Sequence, residues 1–371
     1  MLIQNGIVFT QGRLRKGVSV RTAEGVICEA GALSPRAGEE VLDAGGAYVL
    51  PGFVDIHIHG YKAHDCMEGE EAVRAMSRDL GETGVAAFVP TTMSAGREDT
   101  RAALAGIEKV TRRPELRGAA VLGAHMEAPY LSPRFKGAQV AEYMQAPSPE
   151  AYDALTEGFS CVRMMTLAPE LDGALSLIAH LKRLGVVSCC AHSDAKAADV
   201  HAAADAGLTQ ITHLFNAQSP LHHREPGVPG AGLSDPRILV QIIADCIHLH
   251  PDVLRIAALC KGADGAALIT DAMMAAGMPD GKYSLGGQDV FVQDGAARLE
   301  NGALAGSTLT MHAAVRNMIT RCGLDPEAVI PMATSTPARS VGADAYGEIA
   351  AGKAARFALM DAGWNFLRAV G

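Results

Sequence analysis

Six side chains able to hold a metal or move a proton recur at comparable places in this sequence. His57 and His59 stand two apart in Pro51-Gly-Phe-Val-Asp-Ile-His-Ile-His-Gly60. On an extended strand, residues two apart share a face. Both imidazoles therefore project the same way, and neutral imidazoles side by side suit a divalent metal. Glu127 lies in His125-Met-Glu-Ala-Pro-Tyr130, His192 in Ala191-His-Ser-Asp194, His213 in Thr212-His-Leu-Phe-Asn216, and Asp271 in Ile269-Thr-Asp-Ala-Met273. Singly, each has an ordinary structural use. A strand-end histidine is more often hydrogen-bonded structure than ligand, Glu127 could form an ion pair with a neighbour, and Asp271 could cap a following helix. As a set, four imidazoles and two carboxylates point to a metal site.

The elements that must position them follow a repeated pattern. Candidate strands are Phe53–His57, Val85–Pro90, Ala119–Ala124, Val162–Leu167, Val186–His192, Gln210–His213, Leu239–Ala244 and Ala266–Asp271. Helical spacing of apolar residues separates them over Ala72–Leu80, Thr100–Val110, Leu171–Leu184, Lys196–Ala206 and Asp252–Cys260. This alternation predicts an α/β fold, a (β/α)8 TIM barrel. A doubly wound open sheet is the alternative, but no Gly-x-Gly-x-x-Gly opens a helix after the first strand. In a barrel the strand ends share one rim, where catalytic groups of this fold sit, and the candidate residues all fall there.

Residues 1–50 read instead as short glycine-punctuated strands: Gly6–Thr10, Val18–Val20, Gly25–Ile27 and Ala47–Leu50. After Asp271 come a hairpin (Tyr283–Leu285, Val290–Val292, Ala297–Leu299) and two helical segments, Thr308–Arg321 and Pro326–Thr334. Strand-like Phe357–Met360 is placed to return to the N-terminal unit. The expected division is 1–50 and 346–371 in one small β-sandwich domain built from both chain ends, with the barrel over 51–345.

Composition narrows the function classes. A net charge of −9 with no basic block argues against nucleic acid as partner. No apolar run is long enough to cross a membrane. The opening Met-Leu-Ile-Gln-Asn-Gly lacks the basic segment and long apolar core of a signal peptide. The eight cysteines include no Cys-x-x-Cys, so neither a thiolate zinc site nor a disulfide framework is indicated. A cytoplasmic protein is expected.

Longer motifs carry a resemblance. They are Pro51–Gly60, Pro90-Thr-Thr92, His125-x-Glu-x-Pro129 with Lys136-Gly-Ala-Gln139, Leu167-Ala-Pro-Glu170, His192-Ser-Asp-Ala195 and Thr212-His-Leu-Phe-Asn-Ala217. Arg224-Glu-Pro-Gly227, Ile243-Ala-Asp-x-Ile-His248, Thr270-Asp-Ala-Met273 and Leu304-Ala-Gly-Ser-Thr-Leu-Thr-Met311 follow. Over nearly its whole length the chain resembles the amidohydrolase superfamily and, within it, the N-acetylglucosamine-6-phosphate deacetylases. The His-x-His motif alone would mark only the superfamily.

The resemblance implies metal-dependent hydrolysis of an N-acetyl group in amino-sugar metabolism. Glu127, His192 and His213 would hold one metal, and His57 and His59, with Glu127 bridging, a second. Zn²⁺ suits these ligands and Fe²⁺ also fits. Asp271 would be the catalytic acid–base. Substrate contacts would come from Ala138, Gln139, Asn216, the backbone at Ala217, Arg224, His248 and the Leu304-Ala305-Gly306 turn. Arg224 would clamp phosphate from the neighbouring subunit of a homodimer. Some relatives carry histidine at the Gln139 position, where it polarises the acetyl carbonyl. Glutamine donates a hydrogen bond without charge, so that role would pass to the second metal. Ala128 and Cys246 stand where glycine is usual, and Arg356 where an acidic residue is expected. The preference between glucosamine and galactosamine is open, as are another amidohydrolase acting on amide bonds and a catalytically silent sugar-phosphate-binding relative.

Overall fold

A computed structural model describes residues 1–115 and 118–371. Eight parallel strands form the central barrel: β1 (Phe53–Ile58), β2 (Val85–Thr92), β3 in two pieces (Ala120–Val121 and Ala124–Met126), β4 (Val162–Leu167), β5 (Val187–Cys190), β6 (Gln210–Ile211), β7 (Leu239–Ile243) and β8 (Ala266–Ile269). Each pairs with the next in sequence order. The ring closes where Ile58 bridges Ala272 and the Asp271 amide donates to the His57 carbonyl at 2.9 Å. Beneath that seam the Thr270 hydroxyl donates to Asp55 at 2.5 Å.

Helices cover the outside, so the strands are buried on both faces and read as apolar runs. Every residue of β2 is buried. The helix Glu70–Glu82 buries Ala72, Val73, Met76 and Leu80, the helically spaced stripe of its sequence, against the sheet. Helices Pro149–Thr156 and Gly227–Ser234 were not anticipated from the sequence. The second is built from glycines, Pro229 and a serine, which local propensity does not favour; tertiary packing of Val228 and Ala231 holds it.

Strand boundaries differ from the sequence reading in one systematic way. β5, β6 and β8 end two residues before His192, His213 and Asp271. The backbone of those three residues turns to φ 48°, 31° and 51°. A residue in the left-handed region cannot continue a pleated strand, so pairing stops and the side chain is aimed across the mouth. The third strand breaks at Leu122-Gly123, Gly123 having φ 129°.

Both chain ends build a two-sheet sandwich. One sheet orders Val26–Gly31, Ser19–Ala23, Leu2–Gln4 and Val41–Asp43; the other orders Phe366–Val370, Phe357–Met360, Tyr48–Pro51, Ile7–Thr10 and Arg13–Arg15. Ile3, Val20 and Ile27 of the first pack against Val8, Val49, Phe357 and Leu359 of the second. A three-stranded antiparallel excursion (Gly281–Leu285, Gln288–Gln293, Ala296–Leu299) packs through Leu285 and Val290 on Met93 and Met273. No helix among the described residues is long and apolar enough to cross a membrane.

Candidate active site and metal centre

The strand ends deliver two adjoining donor groups, His57–His59–Asp271 and Glu127–His192–His213, all buried. In the first, Nε2 of His57 and Nε2 of His59 face each other at 3.3 Å. Asp271 Oδ1 lies 3.3 Å from His57 Nε2 and 3.1 Å from His59 Nε2. In the second, Glu127 Oε1 is 2.9 Å from His213 Nε2 and 3.3 Å from His192 Nε2. Glu127 also joins the groups, with Oε1 at 3.5 Å from His57 Nε2 and Oε2 at 3.4 Å from His59 Nε2.

A second layer fixes the imidazoles. His59 Nδ1 donates to the Thr91 carbonyl and His192 Nδ1 to the Phe135 carbonyl, both at 2.9 Å. A ring nitrogen that donates to a carbonyl leaves the other nitrogen's lone pair free, here turned inward, the arrangement that orients metal-ligating histidines. His57 Nδ1 meets Gln241 Oε1 at 3.4 Å, and Gln241 donates in turn to Gln210 at 3.0 Å. Buried His125 supports the floor: its ring meets His57 edge-on, 4.9 Å between centroids, and its Nε2 lies 2.8 Å from Thr166 Oγ1. The Ser307 amide donates to the Asp271 carbonyl at 2.7 Å and its hydroxyl to the Thr270 carbonyl at 2.6 Å. Gly306 (φ 60°) makes that approach feasible, since a Cβ there would sit 3.1 Å from the Asp271 carbonyl and 3.2 Å from Met273.

The electrostatics of the cluster call for a cation. Burial opposes ionisation of Glu127, yet His57, His192 and His213 hold its carboxyl well below the usual range. Burial likewise opposes the Asp271 carboxylate, and His57 and His59 override it and keep the group ionised. For His59, burial disfavours the imidazolium, but Asp271 and Glu127 lift it to about 9. Burial and then His57 press His125 well below the ordinary imidazole range, so this ring stays neutral. The two carboxylates draw positive charge into the cluster: a proton at His59 supplies it, and a divalent cation in its place would leave the inward imidazole lone pairs free to bind. The donor set fits a divalent metal at either group.

Above the cluster opens a cavity of about 350 Å³, a size suited to a small polar ligand. His59, Glu127, His192, His213 and Asp271 form its floor, and Ala138, Gln139, Asn216, Ala217, His248, Leu304 and Gly306 line it. Asn216 is held by its own Nδ2 donating to the Leu214 carbonyl at 3.2 Å. His248 Nδ1 is 2.6 Å from Asp245 Oδ2; burial opposes the imidazolium, and Asp245 outweighs it and raises the pKa.

The Amidohydrolase family matches residues 48–369. The chain is 38% identical to the N-acetylgalactosamine-6-phosphate deacetylase of Escherichia coli O157:H7, over 93% of this chain and 90% of that protein. It is 37% identical to the N-acetylglucosamine-6-phosphate deacetylase of Bacillus subtilis (strain 168), over 86% and 82%. The chain belongs to the amidohydrolase family. Among solved structures, a variant N-acetyl-D-glucosamine-6-phosphate deacetylase from Mycobacterium smegmatis, in complex with N-acetyl-D-glucosamine 6-phosphate, superposes with a TM-score of 0.93. That pair is 34% identical and covers 100% of this chain and 97% of the other.

The structure sets three of the expected substrate-contact residues of this amidohydrolase in different surroundings. Arg224 does not line the cavity; it is exposed on the loop after β6, where its Nη1 lies 2.9 Å from His223 Nε2. Ala305 faces away from the cavity between Leu304 and Gly306, buried in the apolar cluster under the excursion. Gln139 is committed at both ends of its amide, its Oε1 accepting from the Ser94 amide and its Nε2 donating to Glu127 Oε2, each at 2.7 Å. Sequence reasoning missed Arg134, Phe135, Met93 and Leu285 in the lining. Their chemistry gave no signal, because only the return paths of two loops and the excursion bring them to the mouth.

Proposed function

We propose that this amidohydrolase removes the acetyl group of N-acetylglucosamine 6-phosphate, giving glucosamine 6-phosphate and acetate. The observation that carries the reading is Asp271, with Oδ1 at 3.3 Å from His57 and 3.1 Å from His59, at the floor of a cavity with His248 and Asn216 in its wall. Similarity to deacetylases of two N-acetylhexosamine 6-phosphates supplies the substrate class.

The residues would divide the work as follows. His57 and His59 with Asp271, and Glu127 with His192 and His213, would hold one or two divalent ions, Zn²⁺ by donor type with Fe²⁺ as the alternative. Such an ion, when bound, supplies positive charge that acidifies water and polarises an amide carbonyl. Asp271, within 3.3 Å of both imidazoles, would accept a proton from the attacking water and deliver it to the departing glucosamine nitrogen. His248, whose imidazolium Asp245 favours, and the Asn216–Ala217 turn would receive the sugar phosphate. Arg224, outside this chain's own cavity, would act in the active site of a second subunit, as its planar guanidinium suits phosphate.

The E. coli relative favours one second reading, the galactosamine epimer as substrate. Acetate release measured in parallel on N-acetylglucosamine 6-phosphate, N-acetylgalactosamine 6-phosphate and unphosphorylated N-acetylglucosamine decides between them, with metal counted in the same sample. Fastest, chelator-sensitive release from the first is the expected result. Faster release from the second establishes the epimer, and silence on all three with metal bound overturns both.

A further inference from the structure

Met93, buried just past the end of β2, stands between two cavities. It lines the one above the donor cluster, and it lines a second of about 400 Å³; it is the residue that the two linings share. Its side chain bridges them. Sδ accepts from Gln139 Nε2 at 3.6 Å, and Gln139 lines the first cavity. Cε abuts the hairpin turn Gly286-Gly287, which lines the second; a Cβ at Gly286 would sit 3.2 Å from that methyl. A thioether chain adapts readily to its surroundings, but this one is held at Sδ by Gln139 and at Cε by the hairpin tip. The second cavity offers Met67, Ala102 and Met274 for apolar contact and carries the carboxylates of Asp65, Glu68 and Asp99. It suits an uncharged alkyl chain and disfavours an acid-ended one.

Strand order decides which end of a substrate faces Met93. The eight strands follow one another around the ring, so β2 stands across the mouth from β6 and β7, whose ends lead to Asn216 and His248. The donor cluster lies between. With the sugar phosphate received at Asn216 and His248 and the amide over the cluster, the acyl chain runs toward Met93. This orientation rests on the deacetylase reading. We propose that Met93 sets the acyl length this enzyme accepts: it closes the active site just beyond the acetyl methyl and shuts off the second cavity, which a longer N-acyl chain would fill. A smaller side chain at 93 joins the two cavities and admits butanoyl and hexanoyl groups.

The test measures kcat/KM of the metal-loaded enzyme on N-acetyl, N-butanoyl and N-hexanoyl forms of the hexosamine 6-phosphate it deacetylates faster, following release of the free amino sugar. In the wild type, butanoyl should fall about a hundredfold or more below acetyl, since each misplaced methylene is worth roughly tenfold or more. Met93→Ala should raise the butanoyl-to-acetyl ratio by about tenfold or more. The ratio is the readout because losing Sδ also disturbs Gln139, which affects both substrates alike. Met93→Val should shift the ratio the same way in smaller measure, and it carries the comparison if the alanine variant does not fold. Met93→Leu, of similar bulk, should keep the ratio low. Adding Ala102→Phe to Met93→Ala should refill the second cavity and lower hexanoyl turnover more than butanoyl. Wild-type turnover of butanoyl equal to that of acetyl, or ratios in Met93→Ala and Met93→Val equal to the wild type's, overturns the acyl-length role while acetate release leaves the deacetylase reading standing. No release from the N-acetyl form of either hexosamine overturns that reading, and the acyl-length role with it.

Discussion

The side-chain amide of Gln139 donates to Oε2 of Glu127 at 2.7 Å, the oxygen that faces His59, while its own carbonyl accepts from the Ser94 amide. The bond at Ser94 fixes which end of the amide points to the carboxylate. Gln139 thus orients a residue shared between both donor groups.

Gln139→Ala should strip two buried partners at once. Each orphaned group costs roughly 1–3 kcal/mol, and losing a residue that orients a ligand typically weakens metal affinity by about 10–100-fold. Metal retained after dialysis against a graded chelator series, together with Tm, reads both effects. Wild-type retention would show that Glu127 is positioned without it.

Asp271→Asn removes the proton acceptor while keeping size and the backbone bonds to Ser307. Turnover should fall by about 10²–10⁴-fold, the usual span of a general acid–base contribution. Metal at Glu127, His192 and His213 and binding of a competitive sugar phosphate should persist. Turnover near wild type would end the acid–base assignment.

His248 sets a pH dependence with a definite sign. Asp245 raises its pKa in the fold, so its positive charge is fully present below the ordinary histidine value and is lost as pH rises through the elevated one. Affinity for phosphorylated substrate should weaken across that alkaline window, with no such trend for the unphosphorylated sugar. Asp245→Asn should move the loss to lower pH. Superimposable KM profiles for the two proteins would exclude the pair from phosphate binding.

Arg224→Ala should leave folding intact, because an exposed side chain away from packed features usually changes stability within about 0.5 kcal/mol. Losing a charged hydrogen bond to phosphate, about 1.5–3 kcal/mol, should raise the KM roughly ten- to hundredfold with kcat preserved. Sedimentation of the same samples shows whether a second subunit is present to receive the guanidinium. A constant KM would retire the clamp.

Much of the barrel and its metal donors could be read from the sequence because two local regularities coincide there. Period-two histidines at 57 and 59 mark a face, and each later donor follows an apolar run. The left-handed turns at His192, His213 and Asp271 were not legible, since the enrichment of histidine and aspartate at positive φ is too weak to mark a single position. Nor was Arg134 or Leu285 in the cavity wall, where loop paths decide. Ala305 shows the limit within a motif: its neighbours on either side line the cavity while its own methyl packs under the excursion. The same blindness to distant pairing hid Gln139 from Glu127.

The sandwich at the chain ends carries a consequence for how the protein is made. Leu50 pairs with Ala358 and Val49 with Leu359, so during vectorial synthesis the N-terminal strands wait on the ribosome through the whole barrel before their partner emerges. Contacts so far apart in sequence close late. The nascent chain therefore passes through a stage with an assembled or assembling barrel and an open strand edge at Tyr48–Pro51, the edge where a chaperone, or a second nascent copy, would gain its hold.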